Sequence, residues 1–159
     1  MNAPFYDETS FVPPTSIGYL VKHIAKQMMM QAELVFADRE LSFSQWVAMT
    51  LIRHEIADNC AAIARQLGHT SGATTRLVDQ LDERGLVRRS REGDDRRVVK
   101  LELTAAGVLA LDALAPRMID FWNTLLVDFE RNEVETMITL LSRLLSALEA
   151  QQDQGRLVA

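Results

Sequence analysis

Apolar residues recur every three or four positions over the first part of the chain, which is the spacing of an amphipathic helix. A first stripe predicts one long helix over residues 17–38, with Ser16 as its N-cap. A second stripe predicts a helix over residues 44–54, capped by Ser44.

Two short stripes follow closely, one over Cys60–Leu67 and one over Thr74–Leu81, with Gly68 between them. Two short amphipathic helices joined by a tight glycine-containing turn are typical of a helix-turn-helix. We expect the second helix to end at Gly85, a residue that adopts a left-handed conformation without a steric penalty, and Leu86 to pack back on the helix.

The apolar period then changes from 3.6 to 2. Alternation over residues 98–103 predicts a half-buried strand, and residues 86–91 can form its partner. The polar run 92–95 between them is typical of a turn. A basic β-hairpin directly after a helix-turn-helix is a wing.

Two further helices complete the predicted elements. Thr104 is expected to cap a helix that continues to about Val127, with a kink or break at Pro116. The last helix is expected to start at Asn132, because Glu135 follows at capping-box spacing.

The predicted fold is mainly α with a small β-hairpin, a winged helix-turn-helix with long dimerisation helices at both ends. The outer helices carry more apolar residues than one small domain can cover, which favours a homodimer. The predicted parts are a flexible N-terminal arm at 1–15, dimerisation helices within 16–43 and 105–150, a DNA-binding domain at 44–104 and a tail at 151–159.

Charge is unevenly distributed along the chain. The net charge is −5, but residues 65–100 hold nine basic and six acidic residues, so this stretch carries +3 and the remainder −8. A basic patch on an acidic body can bind phosphates, although a charged run is also typical of a solvated surface.

Other classes of protein find little support. No apolar run reaches the length of a membrane span, and the N-terminus lacks the features of a signal peptide, so we expect a cytoplasmic protein. No motif of a hydrolase, metalloprotease or nucleotide-binding enzyme is present, and we predict that the protein is not an enzyme. Cys60 lies on an apolar stripe and is interpreted as a core residue, and the three histidines are too scattered for a metal site.

The helix over 71–84 carries the candidate DNA-reading residues. Ser71, Thr75 and Arg76 lie opposite its apolar stripe and could contact base edges in the major groove, with Asp79 orienting Arg76 by an i, i+3 ion pair. Taken alone, they could equally be solvent-facing residues of an ordinary helix.

Arginines of the wing strengthen the DNA-binding interpretation. The wing over 87–103 is expected in the minor groove, where Arg96 and Arg97 would meet a strongly negative potential and Asp95 could hold one of them. On the partner strand, three arginines are expected to reach phosphates, namely Arg88, Arg89 and Arg91.

At this point a family resemblance emerges. The run Ser71–Gly107 resembles the MarR family of transcriptional regulators, through TRLVDQL in the recognition helix, RGLV after it, DRR at the wing and LTAAG at the next helix. The resemblance implies a homodimer that binds a pseudopalindromic double-stranded operator and regulates transcription, usually as a repressor relieved by a small molecule. It assigns minor-groove contact to Arg97, its support to Asp95, and base or phosphate contact to Thr75 and Arg76.

No cofactor is predicted, but a small aromatic effector is conceivable between the dimer helices and the DNA-binding lobe. Such a site would suit an aromatic anion, or the same residues could be simple core and surface positions. The candidate residues are His23, Met28, Trp46, Met49 and Arg53. A winged helix used only for protein interaction remains the alternative function.

Overall fold

The computed structural model describes residues 4–37, 40–90 and 99–153. Within these ranges the chain forms six helices and one antiparallel hairpin, in the predicted order. The elements are α1 (Ile17–Phe36), α2 (Phe43–Arg53), α3 (Cys60–Leu67), α4 (Ser71–Glu83), β1 (Val87–Ser90), β2 (Lys100–Leu103), α5 (Ala105–Leu125) and α6 (Arg131–Asp153). The predicted fold class is confirmed.

The segment before α1 has more structure than the sequence analysis predicted. A short 3-10 helix spans Pro13–Thr15, and the Tyr6 hydroxyl donates to the Thr15 carbonyl at 2.9 Å while it accepts from the Ile17 amide at 3.0 Å. The flexibility of the arm stays a prediction. The Ser16 cap of α1 is confirmed, because its side chain accepts from the Tyr19 amide.

The predicted N-cap of α2 was wrong by two residues. Ser42, not Ser44, caps the helix, and it does so in a capping box with Gln45. The side-chain oxygen of Gln45 accepts from the backbone N–H of Ser42 at 3.0 Å, while the Ser42 hydroxyl accepts from the backbone N–H of Gln45 at 3.2 Å. This reciprocal pair satisfies two amides that Ser44 could not have served from inside the helix.

A compact core forms where α2, α3, α4 and the hairpin meet. Its most deeply buried side chains belong to these elements: Met49, Ile63, Thr74, Val78, Leu81, Val87 and Leu101. Since one face of each element contributes, the core fixes the orientation of α4 from behind.

The hairpin has the predicted alternation. Val87 pairs with Leu103 and Arg89 with Leu101, in a two-stranded antiparallel sheet. The side chain of Leu101 is buried and that of Lys100 is exposed. The strands therefore present one apolar face to the core and one charged face outward.

The junction between α4 and α5 is tightly closed. Gly85 has a φ of 67°, and the amides of Gly85 and Leu86 donate to the carbonyls of Asp82 and Leu81 at 2.8 and 2.9 Å, as expected for the predicted Schellman end. The Thr104 hydroxyl reaches the Gly85 carbonyl and accepts from the Gly107 amide, which confirms it as the cap of α5. A Cβ at Gly107 would overlap the Leu86 carbonyl, so only glycine permits this approach.

The later helices differ from the expectations at two points. α5 continues through Pro116 without a break, because one missing amide donor is tolerated inside a 21-residue helix, while a kink there stays a prediction. α6 begins at Arg131 rather than Asn132, and the acidic residue that closes its first turn is Glu133, whose carboxylate accepts from the Glu130 amide at 2.8 Å.

The chain divides into two compact units, Met1–Met118 and Ile119–Ala159. The core described above lies in the first unit. In the second unit, none of the described residues is buried, and α6 exposes a continuous set of large apolar side chains: Met137, Ile138, Leu140, Leu141, Leu145 and Leu148. A helix stripe of this kind in water requires a covering partner.

No helix among the described residues combines the length and the apolar character needed to cross a bilayer.

Candidate nucleic-acid interface

The turn between α3 and α4 has the geometry of a helix-turn-helix. Asn59 caps α3, whose C-cap Gly68 has a φ of 64°, and the Thr70 hydroxyl then caps α4 by accepting from the Ala73 amide at 3.3 Å. Two side-chain caps and one left-handed residue thus leave only three residues between the end of α3 and the start of α4. The predicted helix-turn-helix is confirmed.

α4 is divided into a buried and an exposed face. Its buried face packs into the core through Thr74, Leu77, Val78 and Leu81. On the opposite side near its N-terminus, Ser71, Gly72, Thr75 and Arg76 are exposed. The structure therefore brings the predicted base-reading residues of α4 together on one accessible surface.

The chemistry of this surface suits an anionic, hydrogen-bonding partner. The first turn of α4 contains no acidic residue, so the positive end of the helix dipole is uncompensated. Thr75 is exposed, and its hydroxyl donates to the Ser71 carbonyl at 3.0 Å, so the hydroxyl oxygen remains free to accept a hydrogen bond. Among the described residues, Arg76 has no ion-pair partner.

The predicted ion pair between Asp79 and Arg76 was wrong. Asp79 instead pairs with Arg89 of β1, and the same guanidinium lies 3.6 Å from the Asp82 carboxylate. Since Asp79 and Asp82 are three residues apart on α4, one arginine from the adjacent strand can reach both. The hydrogen bond that Arg89 donates to the Asp79 carboxylate raises the pKa of Arg89 further above its ordinary value.

This contact gives Arg89 an intramolecular partner in the free protein. Its side chain is 36% exposed, so solvent weakens the pair but does not replace it. The ion pair links the wing strand β1 to the recognition helix α4. Phosphate contact by Arg89 stays a prediction.

Arg88 lies on the exposed face of the hairpin. Its guanidinium makes two hydrogen bonds, at 2.9 and 2.6 Å, to the carboxylate of its cross-strand neighbour Glu102. The Arg88 side chain is 68% exposed, so this surface pair contributes little and can be exchanged for a phosphate. The other predicted wing residues, Arg91, Asp95, Arg96 and Arg97, lie outside the described residues.

Two contacts behind α4 were not predicted. The buried Gln45 side chain of α2 donates to the Gln80 side-chain oxygen at 2.9 Å. At the end of α4, the Arg84 guanidinium donates to the carbonyl and the carboxylate of Glu40, at 2.8 and 3.0 Å. Both contacts join residues at least 35 positions apart, and no local pattern in the sequence announces them.

The five predicted ligand residues occupy different surroundings. His23 stacks on Tyr19 of α1, Met49 is completely buried in the core, and Trp46 packs against aromatic rings of Phe36 and Phe43. Met28 is half-buried on α1. Arg53 pairs with Asp112 of α5 and lines a pocket beside the hairpin.

Cys60 is half-buried at the first position of α3. Burial raises the pKa of its thiol, so the neutral thiol is favoured. The interpretation of Cys60 as a buried core residue is therefore met only in part, because Cys60 is not among the buried residues.

Comparison with known families identifies the central part of the chain. Residues 41–99 match the model of the MarR family. This stretch of the chain is therefore similar to the MarR family. The match begins just before α2 and ends one residue before β2, so it covers the helix-turn-helix and the first strand of the hairpin.

Relatives with similar sequences are named as transcriptional regulators. The HTH-type transcriptional regulator SarZ of Staphylococcus haemolyticus is 22% identical over 131 residues, covering 80% of this chain and 86% of the relative. An uncharacterised HTH-type transcriptional regulator of Bacillus subtilis, YdgJ, is 25% identical over 104 residues, covering 65% of this chain and 63% of the relative.

Solved structures share the fold. The transcriptional regulator BldR from Sulfolobus solfataricus has a TM-score of 0.74 at 26% identity, over 82% of this chain and 93% of that one. The S. aureus MepR–DNA complex gives a TM-score of 0.67 at 22% identity, over 85% and 98% of the two chains. Wild-type MarR from E. coli gives 0.70 at 22% identity, over 82% and 97%.

Proposed function

We propose that this protein is a homodimeric transcriptional regulator that binds double-stranded DNA through α4. The observation that carries the proposal is the exposed face of α4, where Thr75 and Arg76 stand beside an uncompensated helix N-terminus. A helix of this size fits the major groove, and arginine most often reads guanine there through O6 and N7. The MepR–DNA complex and the regulators SarZ and BldR support the same function.

Thr75 has a narrower role than Arg76. Because its hydroxyl proton is committed to the Ser71 carbonyl, its oxygen can only accept and its methyl group can contact thymine. We therefore assign to Thr75 a preference for a base that donates in the major groove or carries a methyl group.

The dimer is supported by the exposed apolar surface of the terminal helices. α1 exposes Ile17, Leu20, Val21 and Ile24, and α6 exposes the larger set given above. A two-fold dimer presents two α4 helices to one side of the duplex. Its operator is then pseudopalindromic, with inverted half-sites about 10 bp apart.

The wing contributes outside the major groove. Arg97 is assigned to the minor groove and Asp95 to its support, on the strength of the family resemblance alone. Arg88, whose exposed pair with Glu102 is readily exchanged, contacts phosphate.

Selection from random duplex DNA with the wild type and Arg76→Ala tests the proposal. The wild type should select inverted repeats, and Arg76→Ala should lose a guanine preference while it keeps most non-specific binding. Selection of direct repeats, or of no motif, would contradict the dimer geometry. Identical motifs of equal strength for both proteins would remove Arg76 from base readout.

A winged helix used only for protein interaction is the competing function. Binding to duplex DNA should weaken steeply with salt, because arginines that neutralise phosphates release counterions. Arg88→Ala should reduce this dependence by about one ion and weaken all sequences alike. An absence of salt-dependent DNA binding would favour the protein-interaction module.

The proposal also includes the direction of regulation: the protein represses transcription, and a small molecule relieves the repression. A regulator that occupies an operator blocks transcription until an effector shifts it to a form of lower DNA affinity. Reporter transcription from the selected operator, with and without the protein, measures the direction of regulation.

A further inference from the structure

A pocket of about 580 Å³ lies between the end of α2, the strand β2 and the first turn of α5. Ile52, Leu101, Leu103 and Val108 form its apolar floor, and Ile52 and Leu101 are themselves buried. Its volume lies within the range of small-molecule sites, which combine an apolar surface with a few polar groups.

Five charged side chains surround this floor, and four of them already have partners. Arg53 pairs with Asp112, Lys100 lies 4.0 Å from the Asp58 carboxylate, and Glu102 accepts from Arg88. Among the described residues, Glu55 alone of the five has neither an ion pair nor a side-chain hydrogen bond. The lining therefore carries one uncompensated negative charge.

Glu55 also occupies an unusual backbone position. It follows the C-cap of α2 with a φ of 56°, and its amide donates to the Ile52 carbonyl at 3.1 Å while the Ile56 amide donates to the Leu51 carbonyl at 3.0 Å. This Schellman geometry favours glycine, because a side chain clashes with the backbone in the left-handed region. The chain keeps a carboxylate at a position where glycine would be more stable.

We propose that this pocket binds a small organic cation with an apolar body, and that the Glu55 carboxylate receives its positive charge. A single aromatic or aliphatic ring in the ligand would cover the buried side chains of Ile52 and Leu101 in the pocket floor. An anion would find both basic residues of the lining already neutralised, by Asp112 and Asp58. The site therefore differs in charge from the aromatic-anion site that the sequence suggested at Arg53.

The position of the pocket connects it to the hairpin. β2 forms one wall, and the Leu101 amide donates to the Asp58 carbonyl at 2.6 Å, at the edge of the same pocket. A bound cation would contact β2, the second strand of the wing. Its action as an effector rests on the proposed function; its binding does not.

Isothermal titration calorimetry of the full chain, without DNA, tests the site. The probe is benzyltrimethylammonium, compared with the neutral benzyl alcohol and the anion benzoate. Because electrostatic attraction to the Glu55 carboxylate adds to apolar burial, the cation should bind about tenfold more tightly than the alcohol, and benzoate more weakly than either. An equal affinity for cation and alcohol, or no saturable binding of the cation, would overturn the proposal.

Two substitutions at Glu55 separate charge from folding. Glu55→Gln removes the charge and keeps the side chain, and Glu55→Gly removes both while it should raise Tm by relieving the left-handed backbone. Both variants should lose the tenfold preference for the cation. Glu83→Gln, at an exposed position of α4 away from the pocket, should keep it. A preference that persists in Glu55→Gly would assign the cation to another site.

A second measurement concerns regulation. Saturating benzyltrimethylammonium should change the operator affinity of the wild type, and by linkage the operator should change the affinity for the probe by the same factor. Glu55→Gly should show no such change. Unchanged operator affinity in the wild type would remove the pocket from regulation. Failure of the operator selection would overturn the proposed function and leave the calorimetric result as it is.

Discussion

α4 and α6 are both amphipathic, but the apolar face of α4 is buried and that of α6 is exposed. In α4, Leu77, Val78 and Leu81 are at most 8% exposed. In α6, Leu140, Leu141, Leu145 and Leu148 are each about half exposed, between 49 and 57%. One helix completes its packing within a single chain, and the other leaves it open.

This difference separates two kinds of stability. The core behind α4 is formed by contacts within one chain, so the contribution of these contacts to stability does not depend on protein concentration. A helix whose apolar face meets a second copy gains stability by mass action instead. In the proposed function, α4 is therefore held rigid within one chain, whereas the apolar stripe of α6 is covered only in the dimer.

The largest expected effect is in the core. Leu81→Ala should lower the free energy of unfolding by about 2–5 kcal/mol, because it leaves a cavity behind α4 that its close-packed neighbours cannot fill. Chemical denaturation should show the same loss at about 1 µM and about 100 µM protein. Leu141→Ala, matched in chemistry, should show a loss that varies with concentration. Equal and concentration-independent losses would mean that α6 is packed within one chain.

Introducing negative charges on the apolar stripe of α6 tests whether this stripe forms the dimer interface. Leu141→Asp combined with Leu145→Asp places two carboxylates on the exposed stripe of α6 and should raise the dimer dissociation constant by at least about 100-fold, which corresponds to about 2.7 kcal/mol. Sedimentation measures the oligomeric state, and operator binding should fall with it. The surface variant Glu149→Gln is the control. A double aspartate variant that remains dimeric would place the interface elsewhere.

The ion pair between α4 and β1 should have a smaller effect. Asp79→Asn and Arg89→Gln, with the double variant, form a cycle whose coupling in stability should be about 0.5–1 kcal/mol, discounted because both side chains are partly exposed. Arg89→Gln should also weaken DNA binding, since it leaves two carboxylates uncompensated beside the DNA surface. The added Asp79→Asn should restore part of that loss. If the double variant binds DNA no better than Arg89→Gln, Arg89 acts on DNA directly.

The smallest effect should occur at Gly72. A Cβ there meets no atom of the chain, so Gly72→Ala should stabilise α4 by up to about 1 kcal/mol. If the start of α4 approaches DNA closely, the same methyl group should weaken operator binding while Tm rises. Thermal denaturation and fluorescence anisotropy measure the two quantities. A variant that improves in both would place Gly72 away from the duplex.

Local signals in the sequence predicted much of the fold. Residue spacing predicted the helix-turn-helix, and the Arg84-Gly85-Leu86 sequence predicted how α4 ends. The error at α2 was avoidable, because Ser42 and Gln45 already have capping-box spacing, whereas Ser44 lacks a glutamate or glutamine three positions on.

Contacts between distant segments were beyond the sequence. Asp79 pairs with Arg89 rather than Arg76 because of how β1 packs beside α4. The ion pair between Arg53 and Asp112 joins α2 to α5, and its two residues are 59 positions apart in the sequence. Glu55 gave no signal either, because only the backbone angle and the pocket distinguish it from any surface glutamate. The helical spacing was enough to propose Thr75 and Arg76 as DNA-reading residues. It was not enough to predict that Arg89 pairs with the neighbouring Asp79.

The closed junction at Gly107 and Thr104 has a consequence for modular engineering. Thr104 and Gly107 contact the carbonyls of Gly85 and Leu86, and Val87 pairs with Leu103 directly above them, so the stem of the hairpin is clamped where it leaves the core. Because the stem is fixed at its base, changes in the segment between the two strands should disturb the core little. Each doubling of the length of that segment adds only about 0.6 kcal/mol to the entropic cost of closing the loop. We therefore expect an exchange of residues 91–98 to leave α4 and its core unchanged.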